Sequence, residues 1–265
     1  GGKSKKTVNV VCDGKEILLS PEWVGDEAVM MAEKLKNVPI LTGADRFQTG
    51  RYALKNYKID TLILDDGFQH LALRRDLDIL LCDHQRPLGN NHLFPAGELR
   101  EPASETRRAD MVCFTRYSGG PIKFSPKFLG SIPQIKTHLR LDSIINMENG
   151  DVCDAEILKG QPVIAFCGIA NPEGFRQILQ DVQVQLKMFK AFPDHHEYNL
   201  NDIKELESIA SQEGVKFILV SEKDAVKLKG MKFSLPFFKV VIDLEILEGR
   251  EIFNKKITTT SRGGH

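Results

Sequence analysis

The stretch Ile59-Asp60-Thr61-Leu62-Ile63-Leu64-Asp65-Asp66-Gly67-Phe68-Gln69-His70 decides how the chain is read. Leu62, Ile63 and Leu64 form a short apolar run that delivers two adjacent carboxylates and then breaks at Gly67. A run this short, followed at once by turn residues, predicts a buried central strand of a parallel sheet. Its C-terminal end is then at the edge where such sheets hold their ligands. Neighbouring strand residues point to opposite faces, so at most one of Asp65 and Asp66 lies on the axis of a metal while the other braces from the side. An Asp-Asp-Gly turn without any ligand accounts for the same residues.

Working outward, the apolar pattern predicts a helix over 28–36, a strand over 38–41 and a helix over 48–56 before the acidic strand. Strands over 78–82 and 109–115 follow it, separated by a long stretch of Pro, Gly, Asn and Arg that is too specific in its turn residues for a simple spacer. A second alternating series comprises strands over 162–167, 184–189, 217–220 and 240–246, with helices over 173–179 and 201–213. Strand and helix in alternation mark an α/β doubly wound sheet. Residues 134–141 and 152–158 alternate apolar and polar side chains and are expected to form a two-stranded ribbon. The expected organisation is a first α/β domain over 1–117, a linker with that ribbon over 118–158, and a second, smaller α/β domain over 159–265. A hairpin about Asp13-Gly14 is expected near the start and a frayed polar end over 258–265.

Composition narrows the function classes. Lysine plus arginine equals aspartate plus glutamate, 36 against 36, so net charge argues for neither nucleic acid nor an anionic membrane as partner. The five cysteines are odd in number, widely spaced and set in apolar runs, the pattern of reduced core thiols. No apolar run reaches the roughly 18 residues of a membrane span, and no signal-peptide pattern is read in the chain.

Several polar groups are candidates for chemistry. Gly2-Lys3-Ser4 has the ending of a phosphate loop, but a strand-rich segment follows it instead of the helix such a loop requires. Asp26 and Glu27 stand at the start of the first predicted helix, where an N-cap acid and a first-turn acid are structurally sufficient. Asp194-His195-His196 follows a strand; adjacent histidines diverge and are poor ligands for one metal. Ser221-Glu222-Lys223-Asp224 follows another strand and reads as a helix cap with a first-turn acid. The Asp65-Asp66 strand resembles a Walker B strand, whose acidic tip helps hold Mg²⁺ near a nucleotide.

Five blocks taken together, Gly25-Asp26-Glu27, Asp65-Asp66-Gly67-Phe68-Gln69-His70, Pro95-Ala96-Gly97-Glu98-Leu99-Arg100-Glu101-Pro102, Asp194-His195 and Glu222-Lys223-Asp224-Ala225-Val226, resemble the tetraacyldisaccharide 4'-kinase family, the lipid A 4'-kinases. The resemblance implies an N-terminally truncated P-loop-kinase-like domain, a two-stranded linker and a second α/β domain. It implies ATP and Mg²⁺ as cofactors, a lipid A disaccharide precursor as acceptor, and no nucleic acid. It implies that the full-length protein works at the cytoplasmic face of the inner membrane through an N-terminal segment absent from this chain, and that the chain given is soluble. Asp26 is the implied catalytic base, with His195 reaching to it from the second domain, an arrangement that would couple catalysis to domain closure. Asp65 and Asp66 are the implied metal residues; Glu27, Arg46, Gln69, His70 and Arg100 line the same implied cleft. Arg100 is read equally well as a bracing ion pair with a neighbouring acid. Because the family's Walker A loop lies upstream of this sequence, the isolated chain is expected to be inactive. Two other classes fit parts of the pattern: a non-catalytic nucleotide-binding module, and a metal-dependent phosphohydrolase built on Asp65, Asp66, His70 and His195.

Overall fold

The structure is a computed structural model that describes residues 3–124 and 126–262. In chain order the elements begin with strand β1 (Asn9–Asp13), helices α1 (Pro21–Val24) and α2 (Asp26–Lys34), β2 (Pro39–Thr42) and α3 (Arg46–Asn56). Strands β3 (Ile79–Asp83) and β4 (Met111–Thr115), the short helix α4 (Pro126–Leu129), β5 (Gln134–Asn146) and β6 (Val152–Asp154) come next. Then follow β7 (Pro162–Cys167), α5 (Pro172–Asp181), β8 (Gln185–Ala191), α6 (Leu200–Gln212), β9 (Ile218–Ser221), α7 (Glu222–Ala225), β10 (Phe237–Glu248) and α8 (Arg250–Arg262).

The chain divides into two compact units, each discontinuous in sequence: unit 1 is Gly1–Tyr57 with Arg140–Asp243, and unit 2 is Lys58–Leu139 with Leu244–His265. The division differs from the three consecutive segments expected, because β5 and β10 each run through a boundary between units.

Unit 1 is built on parallel strands, with β7 between β8 and β9 and β10 beyond β9. Every residue of β7 after Pro162 is buried, as a strand covered on both faces requires. Its Ile164 and Phe166 pack with Ile203 and Leu206 of α6 and with Phe237 of β10. Asn199 and Asp202 form a reciprocal capping box that fixes where α6 starts. A smaller layer in the same unit pairs β1 with β2 antiparallel, and α2 covers it by packing Ala28, Val29 and Ala32 with Val11 and Cys12. The expected hairpin at Asp13-Gly14 is reduced to a single bridge, Cys12 to Ile17.

Unit 2 pairs β3, β4 and the first residues of β5 in parallel register. The ribbon is therefore only partly as expected: β5 does pair with β6 antiparallel over residues 143–145, but its beginning belongs to a sheet. The C-terminal segment is helical as far as Arg262, and residues 263–265 of the expected frayed end lie outside the described residues. Phe253 of α8 packs on Met111, Cys113 and Ile135. Thr258 and Thr259 return their hydroxyls to the carbonyls four residues back, at 2.8 and 2.7 Å, which satisfies the hydroxyls of a threonine run inside a helix.

The largest correction concerns residues 59–64. No strand forms there; Ile63 is 94% exposed and Leu62 is exposed with it. An apolar run calls for burial but does not supply a ladder partner, and none of the described strands pairs with this one. Among the described residues no helix is long and apolar enough to cross a membrane. All five cysteines are free, four of them buried. Burial pushes the Cys82 thiol up to about 11 and the Cys167 thiol to about 12.

Leu206→Ala should lower the unfolding free energy of this chain by about 2–5 kcal/mol in urea titration, whereas Ile63→Ala should stay within about 0.5 kcal/mol. Equal losses at the two positions would mean that Ile63 is buried after all.

Candidate active site

Unit 1 gathers charged groups at the C-terminal ends of its parallel strands, the ligand edge of such sheets. Gly168 follows β7, Asp194 and His195 follow β8, and Ser221 ends β9. Asp224 is the anchor. It is fully buried, and its Oδ2 accepts from the Ser221 hydroxyl at 2.5 Å and the Gly168 amide at 2.7 Å. Its Oδ1 accepts from Lys227 at 3.0 Å. Spaced three residues apart on the turn that continues α7, Asp224 and Lys227 fall on one face. Lys227 Nζ then stands 3.2 Å from Asp26 Oδ2, and the same oxygen lies 3.1 Å from His195 Nδ1.

Asp26 is free for these contacts because it is not the cap. The N-cap of α2 is Gly25, with φ at +95°, and no side chain caps the helix. Glycine adopts that backbone without a steric penalty, which moves Asp26 one step into the helix. Burial pushes the Asp26 carboxyl up, but the Lys227 charge and hydrogen bonds from Lys227 and His195 outweigh it, and the group is held below the ordinary aspartate range. Asp26 is thus a carboxylate near neutrality. His195 sits in the left-handed region, φ +60°, held by its amide on Asp194 Oδ1 at 3.0 Å and on the Gly168 carbonyl at 3.2 Å. Its ring is more than half exposed; Nδ1 meets Asp26, and Nε2 faces Asp194 Oδ2 at 3.7 Å, beyond hydrogen-bond reach. Glu27 pairs with Lys223 at 3.3 Å, and Lys223 also reaches Asp194 at 3.4 Å.

His196 is structural: it stacks on Phe192 and meets Asp202 at 3.0 Å. Arg46 opens α3 after Asp45, whose side chain caps the helix through Gln48, and Arg46 donates to the Gly43 carbonyl. Asp26 and His195 belong to the same compact unit. The sequence reading expects them on different domains, brought together by closure. Lys227 is the residue that sequence reasoning missed. Its signal was its position three after Asp224, in a segment read only as a cap; Ser221 does cap α7 through the Asp224 amide.

The remaining candidates lie in unit 2. Asp65 and Asp66 form a turn, with Asp66 at φ +52°. Arg100 Nη1 holds both oxygens of Asp66, at 2.8 and 2.6 Å, the bracing pair that the sequence allowed. Gln69 donates to Glu101 at 2.9 Å, and the His70 carbonyl accepts from Arg75 at 2.6 Å. Arg108 ties this region together: it pairs with Glu101 at 2.8 Å, donates to the Phe68 carbonyl at 3.2 Å and lies over the Phe68 ring at 4.7 Å. No cluster of three potential metal ligands exists among the described residues.

Parallel α/β layers with an acid, an imidazole and an ammonium group gathered at the strand ends define an α/β protein with a charged cluster at the ligand edge of its sheet. The sequence model of the tetraacyldisaccharide-1-P 4'-kinase family, LpxK, matches residues 1–261. A tetraacyldisaccharide 4'-kinase of Syntrophus aciditrophicus is 39% identical over 260 residues, covering 93% of this chain and 70% of that protein. One of Pelobacter propionicus is 39% identical over 232 residues, covering 88% and 64%. A crystal structure of LpxK from Aquifex aeolicus in complex with ATP superposes with a TM-score of 0.78 at 32% identity, covering 98% of this chain and 76% of that one. The chain belongs to the tetraacyldisaccharide-1-P 4'-kinase family, a family of ATP-dependent kinases, and it spans 70% and 64% of the two curated relatives.

Asp26 has a lowered carboxyl pKa in the folded chain, so its ionised form adds stability above the unfolded value, and that stability is lost as pH falls through the folded value. Asp26→Asn should therefore cost stability at pH 7 and cost progressively less on acidification. A cost independent of pH, in unfolding curves from pH 7 to pH 3, would contradict the pairing with Lys227.

Proposed function

We propose that the protein containing this chain transfers the γ-phosphoryl group of ATP to the 4'-hydroxyl of an acylated glucosamine disaccharide 1-phosphate, a lipid A precursor. The observation that carries the reading is the Asp26 cluster: one carboxylate oxygen within 3.2 Å of both His195 and Lys227. In this scheme Asp26, ionised, accepts a hydrogen bond from His195 Nδ1–H and leaves Nε2 as the proton acceptor. The sugar oxygen forms its bond to the γ-phosphorus as the bond to the ADP oxygen breaks, and the hydroxyl proton passes to His195 Nε2. Lys227 keeps Asp26 ionised and Asp224 keeps Lys227 in place. The roles are thus shifted from the expectation in which Asp26 itself is the base. Such positioned proton transfer contributes about 10²–10⁴-fold in rate.

Mg²⁺ takes one or two protein carboxylates and completes its shell with waters and phosphate oxygens. The donor set of unit 2 fits that limited demand through Asp65, which is exposed, while Asp66 is neutralised by Arg100. When bound, the metal would neutralise phosphate charge during transfer. Glu27, with its partner Lys223, would position the acceptor. The acylated acceptor places the working surface of the whole protein at a membrane face.

In a full-length enzyme, Asp26→Ala and His195→Ala should each lower kcat at least about a hundredfold, and the double variant should lose little more than either single one, since the pair acts as a unit. Additive losses in steady-state transfer assays would argue against a dyad.

A further inference from the structure

Unit 1 contains a hollow of about 420 Å³ between its first residues and the β2–α3 turn. Lys5, Lys6 and Arg46 line it together with Trp23, Asn9 and Thr42, and no carboxylate is among the lining residues. In a chain whose charges otherwise balance, 36 against 36, this is a local excess of three cations. The acid next to Arg46, Asp45, is turned away to cap Gln48 at 3.0 Å. Arg46 places one amine on the Gly43 carbonyl, and its other donors make no hydrogen bond among the described residues. Like charges gathered in one concavity repel, and a bound anion relieves the repulsion.

The walls are fixed. Asn9, buried, receives the Ser4 hydroxyl at 2.5 Å, and the Ser4 amide donates to the Trp23 carbonyl at 3.1 Å. A side chain at Gly43 would run into the Thr7 carbonyl and Thr49, so the turn is held against the first segment. Trp23 is among the lining residues and 51% exposed, so its ring is accessible to a ligand. A flat apolar face beside cations matches the ring and the anion of a phosphorylated sugar.

Chain geometry bounds how far the hollow lies from the proton-transfer pair. Only Val24 and Gly25 separate Trp23 from Asp26, and three residue steps reach at most about 11 Å. A group in the hollow therefore lies within a disaccharide's length of the proton-transfer pair. We propose that this hollow seats the phosphate-bearing sugar ring of the acceptor, Trp23 against the ring and Lys5, Lys6 and Arg46 on the phosphate. The proposal rests on the kinase reading above.

Trp23 is the single tryptophan of the chain, so its fluorescence reports on the hollow directly. Glucosamine 1-phosphate should change it saturably, with affinity about tenfold lower in the Lys5→Gln/Lys6→Gln variant, the effect of losing charged hydrogen bonds, and with no comparable response to glucosamine. Absence of a response, an equal response to inorganic phosphate, or tighter binding of ATP would each overturn the proposal. In the full-length kinase the same double variant should raise the acceptor KM about tenfold and leave the ATP KM unchanged. If the acceptor KM does not move while Asp26→Ala still abolishes transfer, the seat is refuted and the kinase reading stands; if Asp26→Ala also transfers normally, the kinase reading is what fails.

Discussion

The site in unit 1 depends on one buried charge. Asp224 has no solvent exposure, and a carboxylate in that position is tolerated only when it is paired and hydrogen-bonded. Its partners come from three places: the amide after β7, the hydroxyl ending β9, and Lys227 one turn further on. Satisfying one carboxylate therefore fixes two strand ends relative to each other and aims a lysine. From that lysine the contacts run outward, Asp224 to Lys227 to Asp26 to His195, from the fully buried to the largely exposed. Replacing Asp224 would leave Lys227 with one carboxylate where it has two, and would leave the Ser221 and Gly168 donors without their acceptor.

The two carboxylates flanking Lys227 differ in what surrounds them, and that difference assigns their roles. Asp224 has all its contacts inside the protein and serves as a strut. Asp26 shares one oxygen between Lys227 and His195, and the imidazole it holds opens to solvent. A carboxylate held below its ordinary range is a weak base and a good hydrogen-bond acceptor. On that basis we propose Asp26 as the group that orients the imidazole. Unit 2 handles its acids differently: Asp66 is closed off by Arg100, and Glu101 by Arg108 and Gln69.

The strands and helices of the second alternating series were legible in the sequence because their burial is two-sided and their caps are local. The run from Pro162 to Cys167 coincides with β7 residue for residue. Residues 59–64 carry a similar apolar signal and form no strand, since apolarity specifies burial and a ladder needs a neighbour. The threonines of α8 hid a helix, because β-branched residues are poor helix formers and only the fold shows them helical. In the site, Asp26 and His195 were visible through their motifs. Lys227 was not, because its importance comes from the fold that brings Asp26 to it. The split of the chain into discontinuous units was equally hidden, being a property of two long strands.

The most direct test of the account is the tautomer of His195, read from the nitrogen chemical shifts of histidine-labelled protein at neutral pH. An ionised Asp26 can only accept, so His195 should carry its proton on Nδ1 and present a bare Nε2, and Asp26→Asn should disturb that preference. A proton on Nε2, with Nδ1 bare toward Asp26, would contradict the ionised pair on which the proposed chemistry rests.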